Sequence, residues 1–319
     1  MYVVLTARAP GSGSGALPVH ATVAASRAAA AAHGKLAGMV GPIRSILFVP
    51  GARPDRFAKA MAAGADAVVF DLEDSVDASQ KDAAREAIAQ YLATPATAPA
   101  ARIVRFNAVN SAHGERDLEY FADTSGFDAV VIPKVEDAAM VERAATAVGR
   151  TTPVPIIPLI ETPLGVLRSA QIMAAKATVP ALLFGAEDLT ARLGATRTVE
   201  GDELAFARGQ LAMAAASVGA DAIDAIFANI KDLASLRQDA ERARGFGFRG
   251  KMAIHPAQVS VINEVFSPTA ADLDRARRIV EVWDRAQAVG NAIALLGDEM
   301  IELPIVERAR RVLARGAHR

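Results

Sequence analysis

From residue 45 onward, short apolar runs alternate with longer amphipathic, alanine-rich segments. The runs are SILFV (45–49), AVVFDL (67–72), RIVRF (102–106), AVVIP (129–133), PIIPLI (155–160), ALLFG (181–185), AIDAIF (222–227) and KMAIH (251–255). Apolar runs this short predict strands buried on both faces, and the longer segments between them predict helices. Repeated βαβα order is the pattern of a parallel sheet covered by helices. Eight such strands predict an α/β fold, a (β/α)8 TIM barrel, whose cores run to ~250 residues. A doubly wound open sheet is the rival, but it usually carries a Gly-rich phosphate turn after its first strand. Here that turn is VPGARPDRF, without GxGxxG.

The two ends read differently. Residues 1–40 mix Gly/Ser, Pro and poly-Ala without a single acid, which predicts a flexible N-terminal arm, with organised sequence starting behind Met39. At the other end, SPTAADLDRARRIVEVWDRAQ predicts a capped helix with Leu273, Ile279, Val280 and Trp283 on one face. ALLGDEMIELPIVERARRVLA then predicts a hairpin turning at Gly297-Asp298 and a helix starting at Pro304. The division expected is an arm over 1–40, a barrel over 41–260 and a C-terminal extension over 261–319.

Composition changes this picture only by exclusion. With 52% hydrophobic and 22% charged residues, 319 residues make a globular protein with a large core. A formal net charge of -1 leaves no basic stripe for nucleic acid, and no apolar stretch is long enough to span a bilayer. The absence of cysteine removes disulfides, thiolate metal sites and thiol nucleophiles, and suits a cytoplasmic protein.

In a (β/α)8 barrel the reacting groups sit where the strands end, at the C-terminal face. The residues at those ends are Asp71, Glu73, Asp74, Arg105, Asn107, Lys134, Glu161, Glu187, Asp188, Asn229 and His255, whereas most of the other strand ends look free of polar residues. Several acids at one mouth raise each other's pKa unless a cation neutralises them. Carboxylates without a His or Cys cluster suit a hard ion, Mg2+ with Mn2+ as its substitute, and Glu161 and Asp188 on neighbouring strands are the natural pair. The same residues could instead form an ion-pair network with Arg105 and Lys134, or serve as helix caps. His255 before a proline reads as a hydrogen-bonded structural residue, and Trp283 as a packing residue.

The ordered segments RSILFVPGARPDRFAKA, FDLEDSV, VRFN, IPKVE, IETPLG, GAEDL and GKMAIHPAQV carry a resemblance. The chain resembles the citrate lyase beta subunit and malyl-CoA lyase family of Mg2+-dependent, pyruvate-type aldolases. The resemblance implies a trimeric or hexameric barrel that makes or breaks a carbon–carbon bond between an acyl-CoA thioester and a 2-oxo acid. It implies Glu161 and Asp188 as metal ligands, Arg105 on the oxo-acid or enolate oxygens, and Glu73 and Asp74 near the metal's waters. Arg44, Arg53 and Lys59 become candidates for the phosphates of coenzyme A. In such relatives the tail covers a neighbouring subunit and supplies an aspartate as acid/base from a Met-Ile-Asp segment; here the segment is MIEL and the residue Glu302. Catalytic roles are thus expected for Arg105, Asp74 and Glu302. Beside the acyl-CoA lyase stand a citrate lyase subunit acting on a carrier-protein thioester, a CoA-independent pyruvate aldolase, and a barrel kept as a scaffold.

Overall fold

The computed structural model describes residues 43–150 and 152–317. The N-terminal arm expected over 1–40 lies outside them. Eight parallel strands close into a barrel in chain order: β1 Ser45–Pro50, β2 Ala67–Asp71, β3 Ala101–Arg105, β4 Ala129–Ile132, β5 Ile156–Ile160, β6 Ala181–Phe184, β7 Asp221–Asp224 and β8 Gly250–Ala253, with β8 paired to β1. All eight apolar runs are strands, shifted from the expected bounds by up to three residues at an end.

The uniform apolarity of each run conceals a period of two. Ile46, Val69, Ile103, Val131, Ile157, Leu183 and Met252 meet inside the barrel. Their neighbours Leu47, Phe70, Val104, Ile132, Ile160 and Leu182 belong to the larger core beneath the helices. Because side chains alternate across a strand, the inward series continues to Asp71, Arg105, Glu161 and Gly185 at the C-terminal mouth. The β2–β3 register sets Asp71 opposite Arg105.

The outer layer consists of α1 Phe57–Met61, α2 Lys81–Leu92, α3 Ala112–Tyr120, α4 Ala138–Val148, α5 Pro163–Leu167, α6 Ser169–Met173, α7 Ala186–Leu193, α8 Ala205–Ser217, α9 Leu233–Phe246 and α10 Pro256–Phe266. The last of these spans the expected boundary at 260 and packs on the barrel, where Ser45 Oγ donates to Asn263 Oδ1 at 2.6 Å. The extension follows as α11 Ala270–Ala288, an antiparallel pair β9 Ala294–Leu296 and β10 Glu299–Ile301, and α12 Leu303–Gly316. Thr269 caps α11 in a reciprocal box with Asp272, and Gly297 takes φ +62° in the two-residue hairpin turn. Ile279 and Trp283 are buried with Ile301, Val306 and Ala309 in a core separate from the barrel's. Among the described residues no helix is long and apolar enough to cross a membrane.

The far strand ends are not free of polar groups, contrary to the sequence reading. Arg44 holds Asp66 through Nε at 3.0 Å and Nη2 at 2.7 Å, and Asp128 accepts from the Arg102 amide at 2.7 Å. These acids satisfy strand-end amides that have no ladder partner.

Between barrel and helices lies a second feature the pattern did not announce. Asp224 of β7 and Lys251 of β8 point outward, where they meet Arg208 of α8 and Asp239 of α9. Arg208 donates to Asp224 at 3.0 and 2.9 Å and to Asp239 at 2.6 Å, while Lys251 reaches Asp224 at 2.5 Å and Asp239 at 2.6 Å. All four are buried. Two acids and two bases neutralise one another there, so deleting one leaves a buried charge without its partner. Arg208→Ala is expected to lower unfolding stability by about 3–5 kcal/mol, measured by chemical denaturation; a loss within ~0.5 kcal/mol, ordinary for a surface site, would contradict this.

Candidate active site

A cavity of about 410 Å³ opens at the C-terminal mouth. Its lining brings together Asp71, Asp74, Arg105, Glu161, Glu187 and Asp188 of the residues expected at the strand ends. Asn107, Asn229 and His255 are not among its lining residues. Asn229 is exposed, and His255 caps α10, its Nδ1 accepting from the Ala257 amide at 3.2 Å. That is the structural role its position before a proline suggested.

Arg105 is fixed before any ligand arrives. Its Nε and Nη2 donate to the two oxygens of Asp71 at 2.6 and 2.7 Å, Nη1 lies 2.8 Å from Glu73 Oε2, and the guanidinium carbon sits 5.2 Å from the Phe48 ring centre. Burial opposes its charge, but Asp71 and Glu73 more than reverse that and hold its pKa above the ordinary value. Burial likewise pushes Asp71 up, and Arg105 overrides it so that Asp71 stays below the usual carboxylate range. The pair is a rigid, ionised platform.

Glu161, only 2% exposed, is different. Burial, then the charges of Glu73 and Asp188, push its carboxyl up to about 8. Asp188, expected just beyond the sixth strand, stands in the first turn of α7, where an acid also complements the helix dipole. The Lys134 amide donates to Glu161 Oε1 at 2.9 Å. To aim that amide, Lys134 adopts φ +56°, the one non-glycine residue with positive φ among those described. A left-handed lysine costs ~1–3 kcal/mol and persists only where its surroundings enforce it; its ammonium is held by Glu73, with Asp74 at 3.6 Å.

Opposite Oε1, Gly185 makes the room. A Cβ there would stand 2.4 Å from Glu161 Cβ and 2.6 Å from Oε2. Gly185→Ala is therefore expected to displace the carboxylate and lower both divalent-ion affinity and turnover by ~100-fold, with the fold intact by circular dichroism; unchanged affinity would mean that the gap has no purpose.

Crowded acids, one of them forced toward protonation, with an oxygen facing a glycine gap, fit a hard divalent cation. Among the described residues no three His, Cys, Asp or Glu side chains form a ready-made cage. Magnesium tolerates this, since it commonly takes one or two protein carboxylates and completes its octahedron with waters and substrate oxygens. Glu161 and Asp188 would hold it.

Sequence reasoning missed Lys81. Its buried ammonium donates to the Leu72 carbonyl at 2.7 Å, the Glu73 carbonyl at 2.9 Å and Asn107 Oδ1 at 2.7 Å, pinning the loop that carries Glu73 and Asp74. Asn107 in turn donates to Asp117, which Arg85 holds at 2.5 Å. A lysine in the first turn of a polar helix reads as solvated, and nothing in its local sequence marks it otherwise.

The coenzyme A candidates separate. Arg44 precedes β1 at the opposite end of the barrel, committed to Asp66 and to Ser267 Oγ at 2.8 Å, so the phosphate role expected for it is withdrawn. Arg53 and Lys59 lie exposed in the segment that leaves the mouth after β1, with Arg53 paired to Asp55 at 2.8 Å. Glu302 is the N-cap residue of α12, exposed and absent from its own chain's cavity lining.

Comparison with known proteins gives consistent matches. Residues 44–256 match the family described as HpcH/HpaI aldolase/citrate lyase. The citrate lyase subunit beta of Escherichia coli strain K12 is 36% identical over 280 residues, 85% of this chain and 92% of that protein. A (3S)-malyl-CoA thioesterase of Cereibacter sphaeroides is 34% identical over 280 residues, 88% of this chain and 96% of that protein. Among solved structures, CitE from Mycobacterium tuberculosis in complex with magnesium, acetoacetate and coenzyme A superposes with a TM-score of 0.73 at 36% identity, covering 86% of this chain and 98% of that one.

Proposed function

Because the chain belongs to the HpcH/HpaI aldolase/citrate lyase family, we propose that it is a Mg2+-dependent acyl-CoA lyase joining or parting an acyl thioester and a 2-oxo acid. The observation that carries this reading is the lining of one cavity by Glu161, Asp188 and a pre-fixed Arg105. Relatives named for citrate lyase and malyl-CoA, and a structural neighbour complexed with magnesium and coenzyme A, support it.

In the cleavage direction, a base takes the proton of the substrate's 3-hydroxyl, and that oxygen becomes the carbonyl of the departing oxo acid. The electron pair of the broken carbon–carbon bond passes into the thioester enolate, which is then protonated. Glu161 and Asp188 would hold Mg2+, which would supply Lewis-acid polarisation of the oxo acid's oxygens. Arg105 faces the second developing charge, and because Asp71 already orients it, little reorganisation accompanies the reaction. Asp74, exposed at the rim, is one candidate for moving the proton. Glu302 is the other, and it reaches the site only from a second copy. We therefore read the extension that follows α10, from α11 through α12, as a cap on a neighbour within a homotrimer or hexamer, with Arg53 and Lys59 toward the coenzyme A phosphates. A cytoplasmic location suits the cysteine-free sequence.

The test is incubation with a panel of CoA thioesters and Mg2+ or Mn2+, followed by mass analysis. Release of an oxo acid and a shortened acyl-CoA supports the lyase. Condensation of pyruvate with an aldehyde, and no reaction of any thioester, would replace it with a CoA-independent aldolase. For the shared site, Glu302→Gln and Asp188→Ala chains, each inactive alone, are expected to regain turnover when co-expressed; no recovery would remove Glu302 from the chemistry.

A further inference from the structure

The extension has an interior of its own. Its core, from Ala276 to Ala309, contains no barrel residue, and Arg275 ties α11 to β10 by donating to the two oxygens of Glu299 at 2.8 and 2.6 Å. What holds this unit to its own barrel is slight by comparison. The chain enters it through Ser267, whose Oγ accepts from Arg44 Nη1 at 2.8 Å. Among the described residues, no hydrogen bond and a single ion pair join 270–317 to the barrel: Arg315 Nη2, near the end of α12, lies 3.5 Å from Asp221 Oδ2. Asp221 begins β7, so both attachments stand at the face opposite the mouth. The Arg315 side chain is 19% exposed, and its buried Nη2 makes no hydrogen bond. Burial, with Arg249 and Arg44 adding like charge, holds its pKa below the ordinary arginine value against the pull of Asp221. The guanidinium therefore depends on Asp221 for compensation.

We infer that Arg315 and Asp221 are positioning residues: their ion pair sets how the extension stands on its own barrel, and so where Glu302 is presented to the mouth of a neighbouring copy. The inference rests on the lyase and shared-site reading and deepens it. An exposed ion pair ordinarily contributes little to stability, but this one acts by leverage. The helix α12 is about 20 Å long, with Glu302 as its N-cap at one end and Arg315 at the other. A tilt of about 3° at the joint moves Glu302 by about 1 Å, and a displacement of that size in a reacting group can cost ~100-fold in rate. Because the extension is tied internally by its own core and by Arg275, loosening the joint shifts it as one body.

Turnover of the full-length protein decides it, measured with the CoA thioester of the panel that the unaltered chain splits fastest. Arg315→Gln and, from the barrel side, Asp221→Asn are each expected to lower kcat by about 10- to 100-fold. Mg2+ affinity should not change, since the acids of the mouth lie at the other end of the barrel. The two substitutions together should cost no more than either alone, as residues acting as a unit do. Arg315→Lys keeps the charge and should retain most of the rate. Co-expression of the Arg315→Gln chain with the Asp188→Ala chain is expected to raise turnover well above that of either alone, because the intact extension of one copy then serves the intact mouth of the other. If the pair merely braced its own barrel, the one live mouth would sit on the damaged barrel and no recovery would follow, which overturns the inference. An unchanged kcat in both single variants overturns it as well. In either case, recovery of Glu302→Gln by Asp188→Ala leaves the lyase and shared-site reading standing, whereas failure of that pair to recover removes the shared site and the inference with it.

Discussion

Asp188→Ala is expected to abolish Mg2+-dependent turnover, by about 10³-fold or more, while the barrel remains folded. The size follows from what the pair supplies: metal stabilisation of transition-state charge is worth several kcal/mol, and each 1.36 kcal/mol is tenfold in rate. The persistence of the fold follows from the site's electrostatics. Asp188 is one of the charges that push Glu161 up to about 8. Its removal relieves repulsion in the metal-free protein, so thermal stability without Mg2+ should hold or rise. Addition of Mg2+ and pyruvate is expected to raise the melting temperature of the unaltered protein, because a ligand bound only to the native state stabilises it; in the variant that shift should vanish. Activity within tenfold of the original, or an undiminished Mg2+-dependent shift, would remove Asp188 from the metal site. A variant that merely unfolded would show instead a lowered melting temperature without Mg2+, which separates a structural role from a metal-binding one.

What could be read from the sequence follows from the range of the forces involved. Strand positions came from local apolarity, which an eight-stranded barrel makes nearly redundant, since each run must be buried on both sides. The hairpin at Gly297-Asp298 and the helix at Pro304 came from turn and cap chemistry, which also acts over a few residues. Asp71, Arg105 and Glu161 were legible because the strand period places them at the mouth. Asp188 was legible as a residue just after the sixth strand; that the chain turns into a helix at Ala186, so that Asp188 sits in its first turn, was not. Arg44 failed for a simple geometric reason: it stands before its strand rather than after it. Lys81, Lys251, Arg208 and Asp239 stayed hidden because their partners lie 8 to 31 residues away, and a charged residue on a helix looks solvated until the tertiary fold closes over it. The left-handed Lys134 is likewise invisible locally, as its backbone is dictated by the Glu161 and Glu73 carboxylates it serves.

The second large effect concerns pH, and its sign comes from Glu161. In the folded, metal-free protein its carboxyl titrates near 8, against 4.5 for the ordinary group. Between those values the native state holds a proton that the unfolded chain has released. Stability therefore falls as pH rises through this window: the penalty is absent below about 4.5 and complete above about 8, where it reaches roughly 4–5 kcal/mol. Metal binding runs against this slope, because the ion requires the carboxylate and displaces its proton. Mg2+ affinity is accordingly expected to climb about tenfold per pH unit below pH 7, ~50-fold from pH 6 to pH 8, and then level off. Near pH 7, calorimetry in buffers of different ionisation enthalpy should register close to one proton released per ion. Saturating Mg2+ should also flatten the dependence of melting temperature on pH across the same interval. Asp188→Ala brings the Glu161 carboxyl back toward its ordinary range, so in that variant the pH slope of stability shrinks even though no ion binds. An affinity for Mg2+ that stays constant from pH 6 to pH 8 would mean that Glu161 is already ionised before the ion arrives. The acids at this mouth would then be neutralised by Arg105 and Lys134 alone, and the crowding that makes them a metal site would be absent.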